Sequence, residues 1–460
     1  MTQSFSQLPL NASLIDTLDS LNYVSMTEVQ AQALPDVLNN KDVIVQAKTG
    51  SGKTAVFGLG ILNRLNLSSM NVQSLVLCPT RELADQVAAE IRRLARGIPN
   101  VKIITLCGGV PARTQVTSLE HGAHVVIGTP GRIQDHLDRG SLILDDLTLF
   151  VLDEADRMLD MGFQQALDDI IEFVPNNRQT LLFSATYPTK IASIADRVMN
   201  QPIMIKVKGN NDSDIAQSYY RVKSNADRLA GIQLLMLEHR PERVLIFCNT
   251  KADVKEVNQA MVEFGFNVLA LHGDLEQKDR DQTLIRFTNK STTVLVATDV
   301  AARGLDIDDL DMVINYHIAS DTEVHLHRIG RTGRAGKQGT AHSFFAEKES
   351  YKMKRLADFL DAEIVSSQLP SHKVLSQNTY KPPMMTLRVS GGKKQKLRAG
   401  DILGALTGEH GIEGRQVGKI TLFDHCAYVA VNREVAQTAL NKLRNDKMKG
   451  KTFKIWLLKD

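Results

Sequence analysis

Val43-Ile44-Val45-Gln46-Ala47-Lys48-Thr49-Gly50-Ser51-Gly52-Lys53-Thr54 runs from an apolar strand into a glycine-containing turn and on into an apolar helical stretch. A strand feeding such a turn and then a helix is the frame of a phosphate-binding loop. Gly50 and Gly52 leave backbone N–H groups free to face phosphate oxygens, and the helix N-terminus that follows favours negative charge. Lys53 is placed to reach the β- and γ-phosphates and Thr54 to hold Mg2+. The cradle is thus Ala47, Lys48, Thr49, Gly50, Ser51, Gly52, Lys53 and Thr54, with ATP or GTP as its ligand. Ala47 stands where the general pattern has glycine.

A second half-site follows downstream. Leu149-Phe150-Val151-Leu152 reads as a buried strand and ends in Asp153-Glu154. Two carboxylates at the carboxyl end of a strand sit where α/β sheets bind ligands. Asp153 is expected to bind the nucleotide's Mg2+, and Glu154 to orient and deprotonate the attacking water.

Working outward, short apolar runs at Ser74–Leu77 and His124–Ile127 alternate with helical periodicity such as Leu83–Leu94, which predicts a parallel sheet covered on both faces. The rhythm restarts with Arg243–Phe247, Asn267–Ala270, Thr293–Val296 and Met312–Asn315, so a second α/β domain follows the first. The predicted division is 1–207, a polar hinge at 208–216, 217–365, a proline-broken linker at 366–384, and a tail at 385–460. In the tail the pattern predicts strands at Thr386–Val389, Val417–Phe423, Ala427–Val431 and Thr452–Leu458, with helices at Ala399–Thr407 and Val435–Arg444. That βαββαβ order is the order of an RNA recognition motif, and ferredoxin-like folds without RNA activity share it.

Charge separates the tail from the rest. Residues 385–460 carry 15 Lys and Arg against 7 Asp and Glu, whereas the remainder holds 40 against 45. A small basic domain on an acidic body predicts a polyanionic partner. Cys78, Cys107, Cys248 and Cys426 lack metal-ligand spacing and are expected as reduced thiols. No apolar run is long enough to span a bilayer, which points to the cytoplasm, and nothing calls for an obligate protein partner.

Asp153-Glu154-Ala155-Asp156 spells the tetrapeptide that names the DEAD-box RNA helicases, and further stretches occur in that family's order. They are Pro79-Thr80-Arg81-Glu82-Leu83, Gly108-Gly109, Thr129-Pro130-Gly131-Arg132, Ser184-Ala185-Thr186, Ala297-Thr298-Asp299-Val300-Ala301-Ala302-Arg303-Gly304-Leu305-Asp306 and His327-Arg328-Ile329-Gly330-Arg331-Thr332-Gly333-Arg334. The chain resembles this family from residue 5 to about residue 350.

The resemblance implies two tandem RecA-like domains and an RNA helicase driven by ATP and Mg2+. It implies that Gln30, with Phe5 stacking nearby, reads adenine, and that Gly304 and Asp306 meet the γ-phosphate and ribose. Arg331 and Arg334 would be arginine fingers, completing a catalytic set with Lys53, Asp153 and Glu154. Guanidinium stabilises charge on the transferring phosphoryl group, so hydrolysis is expected to require closure of the two domains. Ser184 and Thr186 would couple hydrolysis to RNA through Asp156. RNA would lie on Thr80, Arg81, Gly109, Thr129, Gly131 and Arg132 in the first domain and on Thr250, Gly273 and Thr298 in the second. Such residues suit phosphate and 2′-OH contacts, which carry no base information. The other reading of the same motifs is an ATP-gated RNA clamp with little unwinding.

The tail resembles that of bacterial members of the family, which implies 23S ribosomal RNA near hairpin 92, in pre-50S particles, as its partner. Its third strand, Ala427-Tyr428-Val429-Ala430-Val431, lacks the aromatic-rich RNA-binding pattern. Recognition is therefore expected at the edges, through Lys393, Lys394, Lys396, Arg398, Lys419, Lys447, Lys449 and Lys451. Trp456 is the only tryptophan and is expected in the core.

Overall fold

The computed structural model describes residues 4–47, 50–207, 215–302, 310–319, 321–333 and 338–458. Its first sheet contains β1 (Val43–Gln46), β2 (Ser74–Leu77), β3 (Ile103–Leu106), β4 (Val125–Gly128), β5 (Leu149–Leu152), β6 (Gln179–Ser184) and β7 (Ile203–Lys206). The spatial order is β3-β4-β2-β5-β6-β1-β7, with every neighbouring pair parallel. These strands are unbroken apolar runs because both faces are covered. Val45, Val151 and Phe183 pack with Phe57 and Ile91 on one face, while Ile44, Leu152 and Leu182 pack with Ile133, Ile170 and Ile194 on the other.

The second sheet has β8 (Ile215–Val222), β9 (Val244–Cys248), β10 (Val268–Leu271), β11 (Val294–Thr298), β12 (Met312–Asn315) and β13 (Gly339–Ala346). It too is parallel, in the order β10-β11-β9-β12-β13-β8. The expected elements of both sheets are present, with their ends displaced by a residue or two.

A small antiparallel sheet closes the chain, with β14 (Met384–Val389), β15 (Val417–Leu422), β16 (Ala427–Asn432) and β17 (Ile455–Leu457) in the order β15-β16-β14-β17. Helices Ala399–Thr407 and Ala436–Asn445 complete the βαββαβ order, and their Ile402 and Leu443 pack with Leu387, Val389, Val429 and Ile455. The last strand is shorter than expected, because Met448 and Lys451 exchange backbone hydrogen bonds of 2.9 and 3.0 Å and close a turn ahead of it.

The chain parts into two compact units, one built on the first sheet and the other holding the second and third. Within the second unit the residues after helix Gln277–Thr288 lie on the outer face of the small sheet. Asn289 Nδ2 donates to Thr386 Oγ1 (3.2 Å), the Ser291 and Thr386 hydroxyls meet at 2.7 Å, and Met384 N–H donates to Lys290 O (3.3 Å). Residues 366–384 also rest on this unit, since Tyr380 packs against Phe266 and its hydroxyl donates to Pro241 O (2.8 Å). Most of the expected hinge, 208–214, lies outside the described residues.

Trp456 departs from expectation. It is 42% exposed, because Ile455 and Leu457 turn into the core and the alternation of the strand puts Trp456 on the opposite face. Cys78, Cys107 and Cys248 are buried free thiols, and Cys426 is half-buried. Among the described residues no helix is long and apolar enough to cross a membrane.

Candidate nucleotide and RNA sites

The phosphate loop leaves the carboxyl end of β1 next to β6, at the edge where parallel sheets hold ligands. Gly50 and Gly52 have φ of 81° and 90°, the left-handed backbone that favours glycine. A Cβ on Gly52 would also come within 2.5 Å of Gln30 Nε2. Ala47 instead continues the strand direction, donating its N–H to Ser184 O (3.1 Å), and has no positive φ. Alanine therefore replaces the pattern's glycine without backbone strain. Lys53 opens the helix Lys53–Arg64, is buried, and donates from Nζ to Ala47 O (2.7 Å), spanning the loop.

Gln30 sits in the first turn of helix Glu28–Leu38, where it forms a reciprocal cap with Thr27. Its Nε2 donates to Gly52 O (3.3 Å), while Thr27 Oγ1 donates to Ser51 O (2.8 Å). Leu21, Tyr23, Thr27 and Gln30 line an open cleft of about 300 Å³ beside the phosphate loop. Phe5 is not among the lining residues. It is buried and meets Tyr23 edge-on, so its reach to the cleft is indirect.

Asp153 and Glu154 follow β5, both buried. Burial pushes the Asp153 carboxyl up to about 7, and the Lys53 ammonium works against that rise. Glu154 holds φ 49° and ψ 51°, a strained conformation for a non-glycine residue, and its N–H donates to Asp153 Oδ1 (3.0 Å). Asp156 reaches sideways to the end of β6. Its Oδ2 accepts from Thr186 N–H and Thr186 Oγ1 at 3.0 and 3.1 Å. Ser184, the last residue of β6, is buried, and its hydroxyl has no hydrogen-bond partner among the described residues.

The residues expected to meet RNA cluster at strand ends on the same edge of each sheet. Thr80 follows β2 and caps helix Arg81–Leu94, accepting from Leu83 N–H (3.2 Å), and Arg81 lies 3.7 Å from Asp85. Gly109 follows β3 with φ 77°, and Thr129 follows β4 as the N-cap of Pro130–Asp138. Gly131 would have nothing within 4 Å of an added Cβ, so the backbone there is open to close approach. In the second unit Thr250 follows β9 and caps Lys251–Glu263, Gly273 follows β10 and Thr298 ends β11. Helix N-termini at such an edge present free N–H groups and positive potential to phosphates.

Gln115, His136 and Arg328 were not singled out from the sequence. Arg132 donates to Gln115 Oε1 (2.7 Å) and Val110 O (2.8 Å), and Gln115 also meets His136 Nε2 (3.0 Å). Arg328, three residues before Arg331, is buried and forks onto Asp299 at 2.6 and 2.7 Å. It also donates to Asn249 Oδ1 (2.8 Å) and His317 O (2.9 Å). The signals were a polar residue in the periodic run of Ala112–Glu120 and a third arginine inside a motif already quoted. Arg331 is likewise buried, at 8% exposure. Lys48, Thr49, Gly304, Asp306 and Arg334 lie outside the described residues.

In the small domain Lys393, Lys394, Lys396, Arg398, Lys419, Lys447, Lys449 and Lys451 are all exposed. The turn after β14 and the turn before β17 meet, with Lys449 Nζ donating to Lys396 O (2.7 Å) and pairing with Asp401 at 3.2 Å. Lys419 stands apart from them on β15.

Comparison with known proteins agrees with this layout. Residues 27–194 match the DEAD/DEAH box helicase family, 227–336 the helicase conserved C-terminal domain, and 386–457 the DbpA RNA binding domain. The chain is 51% identical over 446 residues to the ATP-dependent RNA helicase DbpA of Escherichia coli, covering 97% of each chain. Identity to the Bacillus subtilis protein of that name is 33% over 473 residues, with 98% of each covered. Among solved structures, Saccharomyces cerevisiae Dbp5 bound to RNA and ADP BeF3 is similar, with a TM-score of 0.73 at 30% identity, covering 79% of this chain and 95% of that one. With such identity along nearly its whole length, and with both helicase domains and the RNA-binding domain matched in order, the chain belongs to the DEAD-box family of ATP-dependent RNA helicases.

Proposed function

We propose that this helicase locally separates short duplexes of 23S ribosomal RNA near hairpin 92, in the cytoplasm, during assembly of the 50S subunit. The observation that carries the targeting is the exposed lysine cluster formed where the turns at 393–396 and 447–451 meet, on a domain matched to the DbpA RNA binding domain. A compact basic surface suits the shape and phosphates of a folded hairpin.

In this reading Lys53, the N–H groups of the loop and Arg331 with Arg334 hold the phosphates of ATP, and Glu154 orients and deprotonates the attacking water. Thr54 and Asp153 would hold Mg2+, which when bound would neutralise negative charge on the phosphates. The buried carboxylate of Asp153 beside Lys53 suits such an ion, because a divalent charge would stabilise its ionised form. Gln30 reads adenine in the cleft beside Tyr23. Asp156 and Thr186 link the carboxylates to the strand end that leads toward RNA.

The test compares ATPase rates across an RNA panel for the natural chain and a Lys393, Lys394, Lys447 and Lys449 to Glu variant. Loss of the preference for hairpin 92 RNA, with stimulation by unrelated RNA retained, supports the assignment. An unchanged preference defeats it.

A further inference from the structure

We infer that Trp456 and Arg388 form a stacking site for one unpaired RNA base at the open edge of the small sheet. The inference rests on the small domain being an RNA binder. β14 and β17 pair antiparallel with Arg388 opposite Trp456. Leu387, Val389, Ile455 and Leu457 face the core, so Arg388 and Trp456 share the outer face. The Arg388 guanidinium carbon lies 5.4 Å from the indole centroid, yet the indole remains 42% exposed. Among the described residues Arg388 makes no ion pair, and its Nε lacks a hydrogen-bond partner.

The rest of that face is closed. Thr386, Tyr428 and Ala430 are buried at 0%, 4% and 1% exposure, with Asn289 and Ser291 bonded to Thr386. Tyr428, the only aromatic of β16, is therefore withdrawn from any base, whereas the indole on β17 is exposed. The same edge runs into the lysine cluster: Lys393, Lys394 and Lys396 follow Arg388, while Lys449, Lys451 and Lys454 precede Trp456. Ser390 and Lys454 are joined through two bonds of 2.9 Å, so this charge and the indole lie at one end of the sheet. Cations that track phosphates beside an aromatic plane are the combination that binds unpaired nucleotides, and a neighbouring arginine adds cation–π attraction.

Because Trp456 is the only tryptophan, its fluorescence reports this site alone. The full chain, without nucleotide, is titrated with hairpin 92 RNA and separately with oligouridylate. Quenching should saturate at the same RNA concentration as the anisotropy of labelled RNA. Trp456→Leu should weaken binding by about 5- to 150-fold, in line with the stacking contribution of one base, and Trp456→Phe should recover most of the loss. RNA that saturates by anisotropy while the emission stays unchanged, with Trp456→Leu binding as tightly as the natural chain, overturns the inference. Equal quenching by both RNAs upholds the stack and instead counts against the hairpin preference proposed above.

Discussion

Thr186 gives both its backbone N–H and its hydroxyl to one carboxylate oxygen of Asp156, at 3.0 and 3.1 Å. Asp156 is buried and lies in the first turn of the helix that follows the catalytic candidates Asp153 and Glu154, so the pair joins the end of β5 to the end of β6. Thr186→Ala removes one donor from a buried carboxylate, a loss of about 1–2 kcal/mol. If the pair transmits hydrolysis to RNA, duplex separation per ATP hydrolysed should fall by about tenfold, the equivalent of 1.4 kcal/mol, while the KM for ATP stays within about twofold. Thr186→Ser keeps the hydroxyl and should separate strands normally. Measuring both rates on one duplex decides it, and an unchanged ratio in Thr186→Ala would rule the coupling role out.

Arg328 organises, from within, the edge of the second sheet where RNA contacts are expected. Its guanidinium holds Asp299 just after β11, Asn249 just after β9 and His317 O beyond β12. Those positions neighbour Thr298 and Thr250, both expected to touch RNA. Breaking a buried forked pair costs about 3–5 kcal/mol, and Arg328→Lys, which keeps the charge without the fork, should lose about 2–3 kcal/mol of that. Urea unfolding should show the loss, with weaker RNA binding at protein concentrations where the fold persists. A midpoint equal to that of the natural chain would contradict this account.

Two buried histidines make the second unit sensitive to acid. Burial, aided by His239, pushes His342 down to about 4, and burial with Arg328 pushes His325 down to about 3. Both are neutral when folded, yet in the unfolded chain each takes a proton below about 6.5. Their contribution to stability is complete above that value and is lost as pH falls toward the folded pKa. At pH 5.5 each should cost about 1.4 kcal/mol relative to pH 7.5. His342→Phe keeps the ring stacked on Tyr220 and removes one share, so the gap between urea midpoints at the two pH values should narrow. The same gap in both proteins would exclude His342 as a source.

The parts of this molecule that were legible are those where a local rule and the tertiary fold agree. Val43–Gln46 and Leu149–Leu152 read as buried strands because sheets covered on both faces leave no polar side, and the groups after them fall at the carboxyl edge by topology. Where distant segments decide, the reading ran out. Trp456 looked like core because tryptophan usually is, and its exposure depends on the two-residue alternation of β17. Phe5 was expected at the base, yet it packs behind Tyr23, which lines the cleft instead. Arg328 lay inside a motif already recognised, but its inward direction is set by three strand ends that converge only in the fold.

Thr386 is the test of whether the small domain is held on the second sheet's domain. Its hydroxyl meets Asn289 Nδ2 and the Ser291 hydroxyl in a contact where all three residues are buried. The neighbouring Thr292 and Thr293 hydroxyls find no partner among the described residues, so this seam is polar and incompletely satisfied. Seams of that kind hold by geometry more than by apolar area, and losing one member leaves a buried donor unpaired. Thr386→Val preserves shape and β-propensity but leaves Asn289 Nδ2 without its acceptor, at about 1–3 kcal/mol, while the Ser291 hydroxyl keeps its bond to Arg286 O (2.9 Å). The small domain should keep its own fold, since Thr386 faces away from the Leu387, Val389 and Val429 core. Hydrogen exchange should therefore quicken at residues 289–293 and along β14 and β16, while the helices Ala399–Thr407 and Ala436–Asn445 stay protected. Protection unchanged at 289–293 would mean that the hydroxyl contacts contribute little to holding the two domains together.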